Sequence, residues 1–208
     1  LAFAAGPEVN ILGGGIIVTG SPNMVVREVK VSECFRGIKP EACGIGGRVT
    51  LIECSAYANI ESGIFLGATI ADGGCHNVVT KDCYSLFNAN NGVLSAAGID
   101  VDVSGVKTFG NWNSSLMNWA TANMTGRDCS FTDDNRSAHN GIGNPADGLA
   151  SVVVADFYDI LGTTLSINPN ARFILKLINC QISNVGLGSN TQRVGFKLHS
   201  SLSSLPTS

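Results

Sequence analysis

The sequence predicts an all-β chain, a single-domain parallel β-solenoid of about 7–9 coils of ~24 residues each. Three observations carry that expectation. The composition is rich in glycine and poor in charge. A cysteine preceded by an acid or an asparagine recurs along the chain. An asparagine follows several of these positions at a fixed distance.

Glycine supplies 25 of 208 residues, charged residues 14% and aromatic residues 7%. An average soluble domain holds about 7% glycine and about 25% charge. Hydrophobic residues reach 44%, which with so little charge is the opposite of a disordered composition. Lys+Arg number 13 against 16 Asp+Glu, a net charge of −3, so no basic footprint for nucleic acid exists. No apolar run approaches the ~18 residues of a membrane span. Glycine and β-branched residues stand where long helices would need Ala, Leu, Glu and Lys.

Along the chain, residues 1–24 read as an N-terminal segment with a weak first coil at Val9, Ile11 and Gly14. Residues 25–199 read as the solenoid and residues 200–208 as a Ser-rich tail. The start Leu-Ala-Phe-Ala-Ala-Gly, without an initiator Met, reads as a processed secretory chain or a segment of a longer one, and as a docking segment.

Five of the seven cysteines follow an acid or asparagine: Glu33-Cys34, Glu53-Cys54, Asp82-Cys83, Asp128-Cys129 and Asn179-Cys180. Apolar residues stand three and five places upstream, as in Val49, Leu51 and Cys54 or Leu175, Leu177 and Cys180. That is period-2 alternation, which puts each cysteine on the apolar face of a short strand. Val101, Val103 and Val106 repeat the frame without cysteine, and so do Val152, Val154, Asp156 and Phe157, with Phe157 in the cysteine place. Phe196, Leu198 and Ser201 read as a further weak copy. Cys34, Cys54, Cys83, Cys129 and Cys180 are expected as an inward ladder of reduced thiols, because cysteine is small, apolar and often buried.

Five residues after three of these places comes an asparagine: Asn59, Asn88 and Asn111. Four residues later a small residue precedes an aliphatic one: Gly63-Ile64, Gly92-Val93 and Ser115-Leu116. Each unit therefore reads strand, Asn turn, second strand, variable loop. Asparagine tolerates the left-handed backbone of a turn, so an Asn ladder at a corner is expected.

The strings VTLIECSAYANIESGI, VVTKDCYSLFNANNGV and FILKLINCQISN resemble the right-handed parallel β-helix proteins, the pectate-lyase-like superfamily, over roughly Val25 to Asn184. The resemblance implies the fold. It leaves polysaccharide lyases and hydrolases, epimerases, phage tailspikes and non-catalytic adhesins and fibres all within reach.

Cys43 and Cys75 stand outside the ladder, in ACGIGG and DGGCHN. They read either as a disulfide between adjacent loops or as two unrelated free thiols. No CxxC pair offers a zinc site. The residue before each cysteine place is expected to point outward, giving an exposed column of Glu33, Glu53, Asp82, Asp128 and Asp156 with Lys81 and Arg127 beside two of them. That column reads as a cation site or as carboxylates capping strand ends. Asp100 and Asp102 share one face of IDVDV and form a metal-binding pair or a solvated face. Calcium is the one cofactor candidate, at Glu53, Asp82, Asp100 and Asp102.

The densest polar cluster is Asp133, Asp134 and Arg136 followed by His139. Acid, arginine and histidine together suit acid–base work on a glycan, and the cluster reads more simply as a polar loop. The resemblance implies paired aspartates with a His and a basic residue for polygalacturonase-like members, whose Gly-His-Gly and Arg-Ile-Lys are absent here. Trp112 and Trp119 flank Asn113–Asn118, expected as a loop, and read as a sugar-stacking platform or as packing. His76 and His199 are isolated, and sequons stand at Asn113, Asn123 and Asn135.

Two functions follow. One is a secreted or cell-surface structural or adhesive solenoid that assembles end to end with itself, because a solenoid exposes strand edges at its ends. The other is a polysaccharide-active enzyme or tailspike fragment. Low charge and few aromatics favour the first, with glycans as a further candidate partner.

Overall fold

A computed structural model describes residues 14–19, 23–41, 47–67, 76–96, 99–119, 122–133, 152–156, 174–184 and 196–199. These residues form nineteen strands and no helix, numbered in chain order and dealt in rotation to three parallel sheets. The first sheet stacks β1 (Gly14–Thr19), β4 (Arg36–Glu41), β7 (Ile64–Gly67), β10 (Asn91–Ala96), β13 (Ser114–Trp119), β16 (Val153–Asp156) and β19 (Phe196–His199). The second stacks β2 (Met24–Arg27), β5 (Val49–Ile52), β8 (His76–Lys81), β11 (Ile99–Ser104), β14 (Ala122–Arg127) and β17 (Leu175–Ile178). The third stacks β3 (Lys30–Ser32), β6 (Ser55–Tyr57), β9 (Tyr84–Leu86), β12 (Lys107–Phe109), β15 (Ser130–Asp133) and β18 (Gln181–Asn184). The chain is a parallel β-solenoid. Six complete turns and one further strand are described, fewer than the 7–9 coils expected.

Inward side chains stack in register, coil on coil. In the first sheet Ile38, Ile64, Val93, Leu116 and Val153 form one fully buried rung series. In the second, Val49, Val78, Val101 and Met124 do the same. Burial of each such side chain stabilises the fold by about 1.5–3 kcal/mol. In the third sheet Ala56, Ser85 and Thr108 keep the core narrow before Phe131 widens it.

The corner between the second and third sheets is two residues long. Its first residue is left-handed: Glu28, Glu53, Asp82, Gly105, Asp128 and Asn179 have φ of 56, 54, 51, 62, 52 and 52°. Its second residue turns inward: Val29, Cys54, Cys83, Val106, Cys129 and Cys180. These recur at intervals of 25, 29, 23, 23 and 51 residues. The five cysteines described here are all free. Each thiol donates to the carbonyl two residues earlier, as Cys83 Sγ does to Lys81 O at 3.3 Å and Cys129 Sγ to Arg127 O at 3.2 Å.

Cys34 departs from the expected ladder. It follows β3, not a strand of the second sheet, and stands at the corner between the third and first sheets. Its column is Cys34, Asn59, Asn88 and Asn111. Each member follows a left-handed residue: Glu33, Ala58, Phe87 and Gly110, with φ of 58, 53, 55 and 68°. The three asparagines are buried and hydrogen-bonded from coil to coil. Asn59 N and Nδ2 donate to Asn88 Oδ1 at 3.1 and 2.8 Å, and Asn88 N and Nδ2 donate to Asn111 Oδ1 at 3.0 and 2.8 Å. Cys34 N donates to Asn59 Oδ1 at 3.1 Å and ends the described series.

A glycine one coil earlier makes room for each amide: Gly37 for Asn59, Gly63 for Asn88 and Gly92 for Asn111. A Cβ at Gly92 would lie 2.6 Å from Ser115 O and 2.7 Å from Asn111 Nδ2.

The frame ending in Phe157 also departs from expectation. Its strand, β16, pairs with β13 in the first sheet, Leu116 against Val153. Phe157 lies outside the described residues. The next cysteine place after Cys129 is Cys180, because β14 pairs directly with β17 and β15 with β18. Alternation marks a strand but not the sheet it joins. Phe196 and Leu198 likewise belong to the first sheet, in β19. Val9, Ile11 and Ser201 lie outside the described residues, as do residues 1–13 and 200–208, read as the N-terminal segment's start and the tail.

Candidate functional site

The acid column at the two-residue corner contains Glu28, Glu53, Asp82 and Asp128, interrupted by Gly105 and ended by Asn179. Two expected members do not belong to it. Glu33 sits at the asparagine corner, and Asp156 ends β16 in the first sheet, paired with Trp119 and His199. The column is built for the turn. Asp and Asn adopt the left-handed backbone at lower cost than other side chains. The Asp82 carboxylate lies over Gly105, where a Cβ would collide with it. Asn179 Nδ2 donates to Asp128 Oδ1 at 2.6 Å, which replaces a like-charge contact with a hydrogen bond.

Asp100 and Asp102 line one open depression of about 440 Å³ with Gly47, Arg48, Asn77 and Val79. Asp100 belongs to a third left-handed column, with Asn23, Asn77 and Asn123 at φ of 57, 52 and 54° against its own 58°. Asn123 Nδ2 donates to Asp100 Oδ1 at 3.0 Å. Asp102 faces the Arg127 guanidinium at 3.9 Å, both well exposed, a pair of small energetic weight. Glu53 and Asp82 are thus at one edge of the second sheet, and Asp100 is at the other. Among the described residues no three His, Cys, Asp or Glu side chains converge on a metal.

Trp112 and Trp119 do not flank a loop. Ser114–Trp119 is strand β13, so the two stand at its opposite ends, about 20 Å apart along an extended chain. Asp133 is the last residue of β15, its backbone opposite Asn184. Asp134, Arg136 and His139 lie outside the described residues, as do Cys43 and Cys75. His76 begins β8 and His199 ends β19.

A surface feature went unread in the sequence. Tyr57, Tyr84, Phe87 and Phe109 are exposed at 44, 41, 42 and 36% on the third sheet and its asparagine corner, with Ile60 beside them at 63%. Phe87 and Phe109 meet edge to face, centroids 5.5 Å apart, and the Lys107 ammonium lies 5.7 Å from the Tyr84 ring. The signal was present. The four aromatic residues fall between the cysteine or valine place and the asparagine place of their coils.

The first sheet's outer face is different. Phe65, Leu94 and Ala96 are buried there with Met117 packed against them. The Arg36 guanidinium lies 4.2 Å from the Phe65 ring centroid and pairs with the Glu61 carboxylate.

The ladder thiols are tuned by their packing. Burial pushes Cys129 up to about 12, with the Cys180 thiol beside it adding to the rise. Burial and then the Glu33 charge raise Cys34. In the Cys54–Cys83 pair the shared hydrogen bond lowers Cys54 and raises Cys83, and burial opposes charge on both, so Cys54 is the more acidic.

No protein-family model, curated protein or solved structure matches this chain.

Proposed function

We propose that this chain is an extracellular structural or adhesive β-solenoid that stacks end to end with copies of itself, a non-catalytic relative of the right-handed, pectate-lyase-like β-helices. The reading rests on the two ends of the described solenoid. At one end, among the described residues, β2 and β3 pair with a strand on one side only, Met24 is 40% exposed, and Val26 and Val29 are only partly buried. At the other end, among the described residues, β17 and β18 pair on the opposite side only, with Leu175, Leu177, Cys180 and Ile182 half-covered. Unpaired backbone edges above open apolar rungs are templates for another strand. A head-to-tail contact between unlike ends propagates as a filament. The exposed aromatic band runs along the side of the rod and suits adhesion.

Negative-stain electron microscopy with sedimentation velocity tests this. Rods several subunits long, lengthening with concentration, are the expected result. Monodisperse monomers at high concentration would count decisively against it.

A second reading, a polysaccharide-active enzyme or tailspike fragment, draws on the depression where Arg48 stands beside Asp100 and Asp102. Depolymerisation of an acidic polysaccharide panel, with and without calcium, tests it. Activity lost in Asp100→Ala or Asp102→Ala would reverse the ranking.

A further inference from the structure

The inward column at the two-residue corner reads Val29, Cys54, Cys83, Val106, Cys129 and Cys180. Its four cysteines therefore fall into two neighbouring pairs separated by a valine. The register is set on both sides. Ile52 lies opposite Lys81 and Ser55 opposite Tyr84, which places Cys54 against Cys83. Arg127 lies opposite Ile178 and Ser130 opposite Gln181, which places Cys129 against Cys180. Adjacent strands are about 4.8 Å apart, inside the ~4.4–6.8 Å Cα window of a disulfide. Both members of each pair bond the carbonyl two residues back, so they hold the same orientation.

The two pairs differ in access. Cys54 and Cys83 are both 0% exposed, with coils on either side. Cys129 is 2% exposed, but Cys180 above it is only partly buried, on the last described rung of the column. We propose that Cys129 and Cys180 form an oxidation site that closes into a disulfide between adjacent coils, while the equivalent Cys54–Cys83 pair stays reduced in the folded protein. A small disulfide such as oxidised glutathione is the oxidant. The Cys180 thiolate attacks one of its sulfurs, the S–S bond breaks, and one glutathione thiolate leaves. Cys129, once deprotonated, attacks Cys180 Sγ in that mixed disulfide and expels the second glutathione. Two protein thiols are oxidised, one disulfide is reduced to two thiols, and the two protons leave with them. The new bond ties the stack across the 51-residue interval, the longest in the column. It locks the last described rung to the coil beneath it.

The test uses the full chain carrying Cys43→Ser and Cys75→Ser, incubated folded with oxidised glutathione at mildly alkaline pH. Alkylation under denaturing conditions and peptide mass spectrometry then locate the bonds. The expected product is a Cys129–Cys180 cross-linked peptide with Cys34, Cys54 and Cys83 alkylated. A Cys54–Cys83 bond forming as fast, or glutathione retained on Cys180 beside a free Cys129, would overturn the proposal. In Cys129→Val, which places at this rung the side chain Val106 already provides one coil below, glutathione should stay on Cys180. Its absence there, with circular dichroism showing an intact fold, would sink the idea equally.

Discussion

At the corner joining the second and third sheets the inward rung is cysteine or valine. At the corner joining the third and first sheets it is asparagine, with Cys34 at one end. The backbone is nearly the same at both, a left-handed residue followed by an inward one. The chemistry holding successive coils together is different. Cysteine and valine stack by contact, so either fits, and the column alternates between them without disturbing the strands beside it. The asparagines form a chain in which the Asn88 and Asn111 amide oxygens each accept both a backbone and a side-chain N–H from the coil before, and Asn59 Oδ1 accepts the Cys34 N–H. A contact column tolerates exchange, whereas a buried hydrogen-bonded column does not, because losing one partner strands the other.

The sharpest way to break this contrast is a matched pair of substitutions. Asn88→Ala leaves Asn59 N and Nδ2 without their acceptor in a dry corner, and should cost about 3–5 kcal/mol in urea unfolding. Cys83→Val at the other corner should cost under about 1.5 kcal/mol. Equal losses would remove the distinction. Next in size is Gly92→Ala, whose Cβ meets a backbone oxygen and the Asn111 amide. We expect a loss of about 2–3 kcal/mol, measured in the same way.

Alkali should act on the contact column. Cys83 and Cys129 are raised above the ~8.5 of an unfolded thiol. The folded state therefore holds their protons longer than the unfolded one. The Cys129 contribution is whole below about pH 8.5 and falls by about 1.4 kcal/mol per pH unit above it. For Cys129 the fall continues to about 12. Urea midpoints measured from pH 7 to 10.5 should drop less steeply in Cys129→Val than in the parent chain. Parallel slopes would show that this thiol does not govern the loss. The smallest effect expected is a gain. Ala58 has a φ of 53°, so Ala58→Gly should stabilise by up to about 1 kcal/mol, offset in part by glycine's freedom when unfolded.

These two corners also explain what could be read in advance. The solenoid, the cysteine column and the asparagine column were visible because each imposes one residue type at one place in every coil. Cys34 was misread because Glu33-Cys34 copies the acid-cysteine pair at the wrong corner. Left-handed backbone accepts the same dipeptide at either. The offset that separates them is five residues, from Val29 to Cys34 as from Cys54 to Asn59, and it marks the coil better than cysteine does. The β16 strand, Val153–Asp156, was misassigned for a related reason: period-2 alternation reports burial, which every sheet shares. The aromatic band escaped notice because no spacing rule demands it. Tyr57, Tyr84 and Phe109 occupy outward places that the fold leaves unconstrained.

Nineteen described strands over three sheets make six turns and one third. Sliding these described strands along their axis therefore cannot carry their far end onto their near end. A strand added in rotation after β19 would fall in the second sheet, whereas β1 lies in the first. A copy continuing that path would set its β1 over β17, its β2 over β18 and its β3 over β19, turned by a third of a revolution. Three copies would restore the original orientation. Stacking of this kind is a threefold screw, in which the aromatic band winds around the filament instead of running down one side.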